Sequence, residues 1–160
     1  MKLLFGIGNP GKEYEGTRHN VGHDFVMAAN GEEHFLCVTS DVFVNQSGPE
    51  VKKYAAKHKL KADSIIIVHD DLDIEFGKFK ISFDRNSAGH KGVQSIITAL
   101  KTKKFWRLRI GIANAKLKSA RAMEVVPDFV LSRFTPTERA KLPELFKNAL
   151  HDLAHHVAHA

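Results

Sequence analysis

The chain predicts an α/β fold, one domain in which helices sandwich a sheet. Two observations carry that reading. Short apolar runs bounded by glycine, proline and polar residues alternate with stretches of helical period, and 43% hydrophobic content in 160 residues supplies a single core. No repeat, low-complexity tract or linker divides the sequence.

Residues 2–8 are apolar and breaker-bounded, so they predict a buried strand, and a first helix starts near Val21. Residues 35–39 predict the next strand. It holds Cys37, the only cysteine, which excludes an internal disulfide and reads as a buried side chain and not a nucleophile. Pro49 suits the first turn of a helix running to about Leu60. Strands are expected at 64–68, 78–83 and 105–113. Val93, Ile96, Ile97 and Leu100 give one apolar helical face after a glycine loop at 89–92. Thr135, Pro136 and Glu138 form a capping box with proline at the first helical position. They open a helix whose Leu142, Leu145, Phe146, Ala149, Leu150 and Leu153 face the core, with Pro143 expected to break or kink it.

A formal net charge of +6 and a pI near 9.5 make a polyanion a plausible partner. No twenty-residue apolar run and no charged-then-apolar leader occurs, so a soluble cytoplasmic protein without a membrane partner is expected.

Gly6, Gly8 and Gly11 satisfy G-x-G-x-x-G, but the context fails. A dinucleotide site needs a helix opening at the third glycine, and Pro10-Gly11 leads into Lys12-Glu13-Tyr14-Glu15-Gly16, which has no apolar period. The acids at the required distance, Glu32 and Glu33, precede the next apolar run when they should end it.

Gly6-Ile7-Gly8-Asn9-Pro10-Gly11, with Tyr14 and Thr17-Arg18-His19-Asn20 behind it, resembles the opening of the bacterial peptidyl-tRNA hydrolases. Five later blocks are similar to that family in order: Phe43 to Gly48, Val68 to Asp73, Ser87 to Gly92, Arg107 to Gly111 and Phe129 to Phe134. The resemblance implies a three-layer sandwich on a mixed, twisted sheet, and hydrolysis of the ester between a peptide and tRNA. A cytoplasmic monomer needing no cofactor, no metal and no obligate protein partner is expected. Fewer residues lie between the first helix and Phe35 than the family has, so one edge strand and part of that helix are expected to be missing. A catalytically silent RNA-binding relative is the alternative; retention of His19, Asp70, Asn9 and Asn45 argues against it.

Ester hydrolysis needs an activated water and a home for the oxyanion. His19 is the candidate general base, because histidine titrates near neutrality. Asp70, just after the 64–68 strand, is the candidate orienter of one ring nitrogen. Asn9 and Asn45 are neutral amides that can bind a carbonyl, an oxyanion or a ribose hydroxyl. As the resemblance implies, Asn9 is grouped with the catalytic residues, while Tyr14, Val44, Asn45, His90 and Lys91 line the substrate cleft and Lys80 and Arg109 approach the 5′ phosphate. Tyr14 reads as packing more than contact. Val44 stands where the family has methionine, Ser82 where it has a second lysine, and Lys91 where it has asparagine. His69 with Asp71 and Asp73 is a weak metal pattern. Lys101, Lys103 and Lys104 read either as a contact for the acceptor stem or as a solvated helix end, and His151, His155 and His159 as a solvated face.

Overall fold

The computed structural model describes residues 1–158. Strands β1 (Lys2–Gly6), β2 (Phe35–Thr39), β3 (Ile65–Glu75), β4 (Phe79–Phe83) and β5 (Trp106–Ala113) form one sheet in the order β2-β1-β3-β5-β4. The first four neighbours in that order are parallel, and β4 pairs antiparallel with β5, so the sheet is mixed. The helices are α1 (Val21–Ala28), α2 (Ser47–Lys57), α3 (Lys91–Leu100), α4 (Ala115–Ala122), α5 (Val126–Val130) and α6 (Pro136–Ala158).

Alternation along the strands produces two cores. Leu4, Ile66, Val68, Leu108 and Ile110 face α1, α4, α5 and α6, while Leu3, Phe5, Ile65 and Ile67 face α2 and α3. Burial on both faces explains why β1 and β3 begin as unbroken apolar runs. At the carboxyl end of β1 the backbone of α1 comes so close that a Cβ at Gly6 would strike the Gly22 carbonyl, and one at Gly22 the Val68 carbonyl. This approach brings the segment before α1 onto the strand ends. Among the described residues no helix is long and apolar enough to cross a membrane.

Three expectations are corrected. The strand expected at 64–68 runs on to Glu75, because β5 lies beside it in register from Ile66↔Trp106 to Asp71↔Gly111 and again at Glu75↔Ala113. Inter-strand hydrogen bonds override the poor strand propensity of aspartate, so Asp70 and Asp71 sit within a strand and not after one. The helix carrying Pro143 is not broken there; α6 spans 23 residues in all, Pro136–Ala158. An internal proline costs about 3 kcal/mol, whereas burying Leu142, Leu145, Phe146 and Leu153 contributes about 2 kcal/mol each, and burial wins. The strand expected at 2–8 closes at Gly6, although the Ile7 amide still reaches the Val68 carbonyl at 3.0 Å.

In the region read as shortened, α1 spans 8 residues, and the strand that follows it, β2, lies at the sheet edge. The capping box forms as read, Glu138 N–H donating to Thr135 Oγ1 at 3.1 Å and Thr135 N–H to Glu138 Oε1 at 2.9 Å. His159 lies outside the described residues; His151 and His155 are on the exposed side of α6.

Candidate active site

His19 lies in a short 3₁₀ turn, Arg18–Asn20, directly before α1. The turn is held from behind. Arg18 is 1% exposed; its guanidinium pairs with Glu138 at 2.9 Å, donates to the Arg133 carbonyl and stacks on Phe129 at 4.9 Å. Glu138 is the carboxylate of the capping box, so one acid both starts α6 and anchors the residue beside His19. The His19 side chain keeps 19% of its surface exposed, on the cleft side.

Its Nδ1 lies 2.7 Å from Asp70 Oδ2. The other carboxylate oxygen is taken as well, by His90 Nε2 at 2.9 Å. His90 is the N-cap of α3, and its Nδ1 accepts from the Val93 N–H at 3.3 Å. An amide can only donate, so the ring proton of His90 resides on Nε2 and is given to Asp70. Asp70 thus receives two N–H groups while its side chain is only 4% exposed. Burial would raise its carboxyl, but the two histidines outweigh that and hold it far below the usual carboxylate range. Burial would lower His19; the Asp70 charge and hydrogen bond prevail and leave it above its ordinary 6.5. With its proton on Nδ1 facing Asp70, neutral His19 offers the Nε2 lone pair to the cleft.

His69, Asp71 and Asp73 do not converge. His69 is buried and donates from Nδ1 to the Asp70 carbonyl at 2.7 Å; burial first, then His90 and Arg107, push it well below 6.5, so it stays neutral. Asp71 pairs with Arg109, and Asp73 leans toward Arg121 at 3.6 Å. The group with metal-like spacing is His19, Asp70 and His90, whose candidate ligand atoms lie within 4.8 Å of one another. A cation there would need His90 Nε2 unprotonated, driving the proton to Nδ1 against the Val93 N–H and undoing the cap of α3. The donor set therefore fits a hydrogen-bonded cluster better than a metal.

Asn9 is 9% exposed and doubly fixed. Asn20 grips its backbone, accepting from the Asn9 N–H and donating to the Asn9 carbonyl, both at 2.9 Å. The Asn9 side-chain oxygen accepts from the Val44 N–H at 2.9 Å. That bond assigns the amide orientation, so Nδ2 is the end left for the cleft. Asn45 follows Val44 in a second 3₁₀ turn and is exposed on the same cleft. Sequence reasoning missed Asn20 as the clamp on Asn9 and missed that His90 shares Asp70. The T-R-H-N and G-H blocks held those residues, but no spacing rule links either to its target.

The cleft occupies about 700 Å³ beyond the carboxyl end of β1 and alongside the middle of β3, and is lined by Asn9, His19, Val44, Asn45, Asp70, His90 and Lys91 among others. Lys91 is exposed at the start of α3. Tyr14 is not part of the lining; its ring meets Phe43 edge-on at 6.1 Å, which agrees with packing. Lys80 and Arg109 are cross-strand neighbours away from the cleft. Lys80 is exposed, but Arg109 is 5% exposed, with Nε on Asp71 at 2.9 Å and a terminal nitrogen on Ser82 at 3.2 Å. Arg109, expected near the 5′ phosphate, thus has its Nε and one terminal nitrogen engaged by Asp71 and Ser82.

The peptidyl-tRNA hydrolase family model matches residues 3–30 and 25–160, two segments that overlap around the end of α1. A peptidyl-tRNA hydrolase of Persephonella marina is 35% identical over 172 residues, covering 92% of this chain and 86% of its own. One from Dehalococcoides mccartyi strain CBDB1 is 37% identical, covering 96% and 92%. Among solved structures, a peptidyl-tRNA hydrolase in complex with n-propanol superposes with a TM-score of 0.76 at 26% identity, covering 92% of this chain and 83% of that one. The fold of the Acinetobacter baumannii enzyme matches with a TM-score of 0.77 at 24% identity, covering 98% and 92%.

Proposed function

The chain belongs to the peptidyl-tRNA hydrolase family, and from that premise we propose that it cleaves the ester joining a peptide to the terminal ribose of tRNA, with His19 as general base. His19 Nε2 takes a proton from water as the oxygen attacks the ester carbonyl. Asp70 holds the Nδ1 proton and stabilises the imidazolium, which then returns its proton to the departing ribose oxygen. Asn9 Nδ2 and the Asn45 amide donate to the carbonyl oxygen as it becomes an oxyanion. A sugar alkoxide leaves readily enough that base, donors and bound water suffice without a cofactor. Val44 and His90 shape the cleft floor, and Lys91 faces the nucleotide. Lys80 supplies a cation for RNA phosphates, while Arg109 serves the sheet.

The whole chain works as one domain, as a cytoplasmic monomer. The observation that carries the reading is the 2.7 Å contact between His19 Nδ1 and a buried, doubly bonded Asp70, on a cleft that also holds two asparagine amides. The test is release of the acyl group from N-acetyl-aminoacyl-tRNA by the purified protein. Release that His19→Ala abolishes is expected. A folded protein that binds tRNA without releasing anything would make it a silent RNA binder instead.

A further inference from the structure

One wall of the cleft takes no part in the chemistry. It is built by Val126, Pro127 and Val130 of α5 with Leu131, facing Leu72 of β3. The short helix turns Phe129, 6% exposed, against Arg18 and the core, and leaves Leu131 43% exposed toward the cleft. The arrangement is two-sided. Phe129 belongs to the core on one face of the sheet, whereas Val93 and Ile96 of α3, the helix that begins with Lys91, belong to the core on the other. The cleft thus has a mixed wall, where Lys91 and the amides stand beside Phe43 and Val44, and a wall from α5 that is apolar throughout. Its floor carries Asp70, Asp71 and the largely exposed Asp73 of β3, whose carboxylates are already engaged by His19 and His90, Arg109 and Arg121.

We propose that the apolar wall receives the side chain of the amino acid esterified to the tRNA and makes the enzyme selective for bulky apolar residues there, over glycine and most strongly over acidic ones. The inference rests on the esterase reading, which puts the ester carbonyl at His19. The side chain of the esterified residue branches two bonds from that carbonyl, so it must lie against a wall next to His19, and α5 packs on the turn that carries His19. The phosphate-bearing half is drawn to the lysine side, which leaves the acyl half to the apolar side. A bulky apolar side chain removes surface of Leu131 and Val130 from water. A carboxylate there would lose hydration without gaining a cation from the wall of α5.

The experiment uses N-acetyl-phenylalanyl, N-acetyl-glycyl and N-acetyl-aspartyl esters on one and the same tRNA, so that nucleotide contacts are constant. For the unaltered protein kcat/KM should favour phenylalanine over glycine by about tenfold, the lower end expected of a half-open apolar pocket, with aspartate slowest. Leu131→Ser should narrow the phenylalanine-to-glycine ratio several-fold, and Leu131→Lys should raise aspartate relative to phenylalanine. Ratios taken on one preparation cancel the active fraction, so partial unfolding cannot imitate them. Three esters cleaved within twofold of one another, or ratios that neither variant moves, would overturn the proposal. No release from any ester would instead overturn the esterase reading and this inference with it.

Discussion

Asp70→Asn exposes the logic of the site because the carboxylate serves two donors and an amide can accept from only one. His90 Nε2–H is committed, since its Nδ1 caps α3 through Val93. The asparagine oxygen therefore goes to His90, and its NH₂ faces His19 Nδ1, which must become an acceptor. The proton of His19 then sits on Nε2, and the lone pair points away from the cleft. The reverse orientation leaves opposed donors at His90 at a cost of about 1–3 kcal/mol, so the productive tautomer is depleted about 5- to 150-fold. Loss of the counter-ion for the imidazolium brings the total to about 10³-fold in kcat, within the 10²–10⁴ typical of base assistance. The acid limb moves too. With Asp70 neutralised, burial is the remaining influence on His19, so its pKa falls and the limb shifts to lower pH. Steady-state release of N-acetyl-amino acid from tRNA across pH 5.5–9 (a range of about that width) measures both effects. A rate within a few-fold of the parent and an unmoved acid limb would refute the reasoning.

His19→Ala should abolish cleavage while leaving tRNA affinity, measured by equilibrium binding, nearly unchanged. Arg109→Ala should destabilise the fold by about 1.5–3 kcal/mol in denaturant unfolding, because it removes a charged hydrogen-bond partner from the half-buried Asp71. Lys80→Ala, on the exposed side of the same strand pair, should leave stability intact and reduce the salt slope of tRNA binding by about one contact. Lys91→Asn should move the acid limb of kcat/KM slightly to higher pH, since a cation at the cleft lowers the pKa of His19; the exposure of Lys91 keeps the shift small. The folded protein should lose stability as pH rises through the His19 pKa, because the raised value means the protonated pair with Asp70 stabilises below about 6.5 and fades above it. Thermal unfolding of parent and His19→Ala across that interval reads the difference.

Legibility tracked locality. The capping box at Thr135 and Glu138, the apolar face of α3 and the buried character of β1 depend on neighbours within a turn or on simple alternation, and all were readable. The extension of β3 to Glu75 was not, because the hydrogen bonds that carry aspartates into a strand come from β5, far along the chain. Arg109 looked like a free cation since nothing in R-L-R announces Asp71, which reaches it across adjacent strands. His90 could be named but not its second role, which exists only where the N-cap of α3 meets the middle of β3. Asn20 likewise declares itself only when the chain folds back on Asn9.

The central claim is that His19, tuned upward by Asp70, is the base. NMR titration of the His19 ring in the free protein, set beside the acid limb of kcat/KM, tests it most directly, because that limb reports ionisations of the free enzyme. The account predicts one midpoint for both, above 6.5, with the proton of neutral His19 on Nδ1. A His19 midpoint below 6.5, a neutral form protonated on Nε2, or a limb that titrates elsewhere would contradict it.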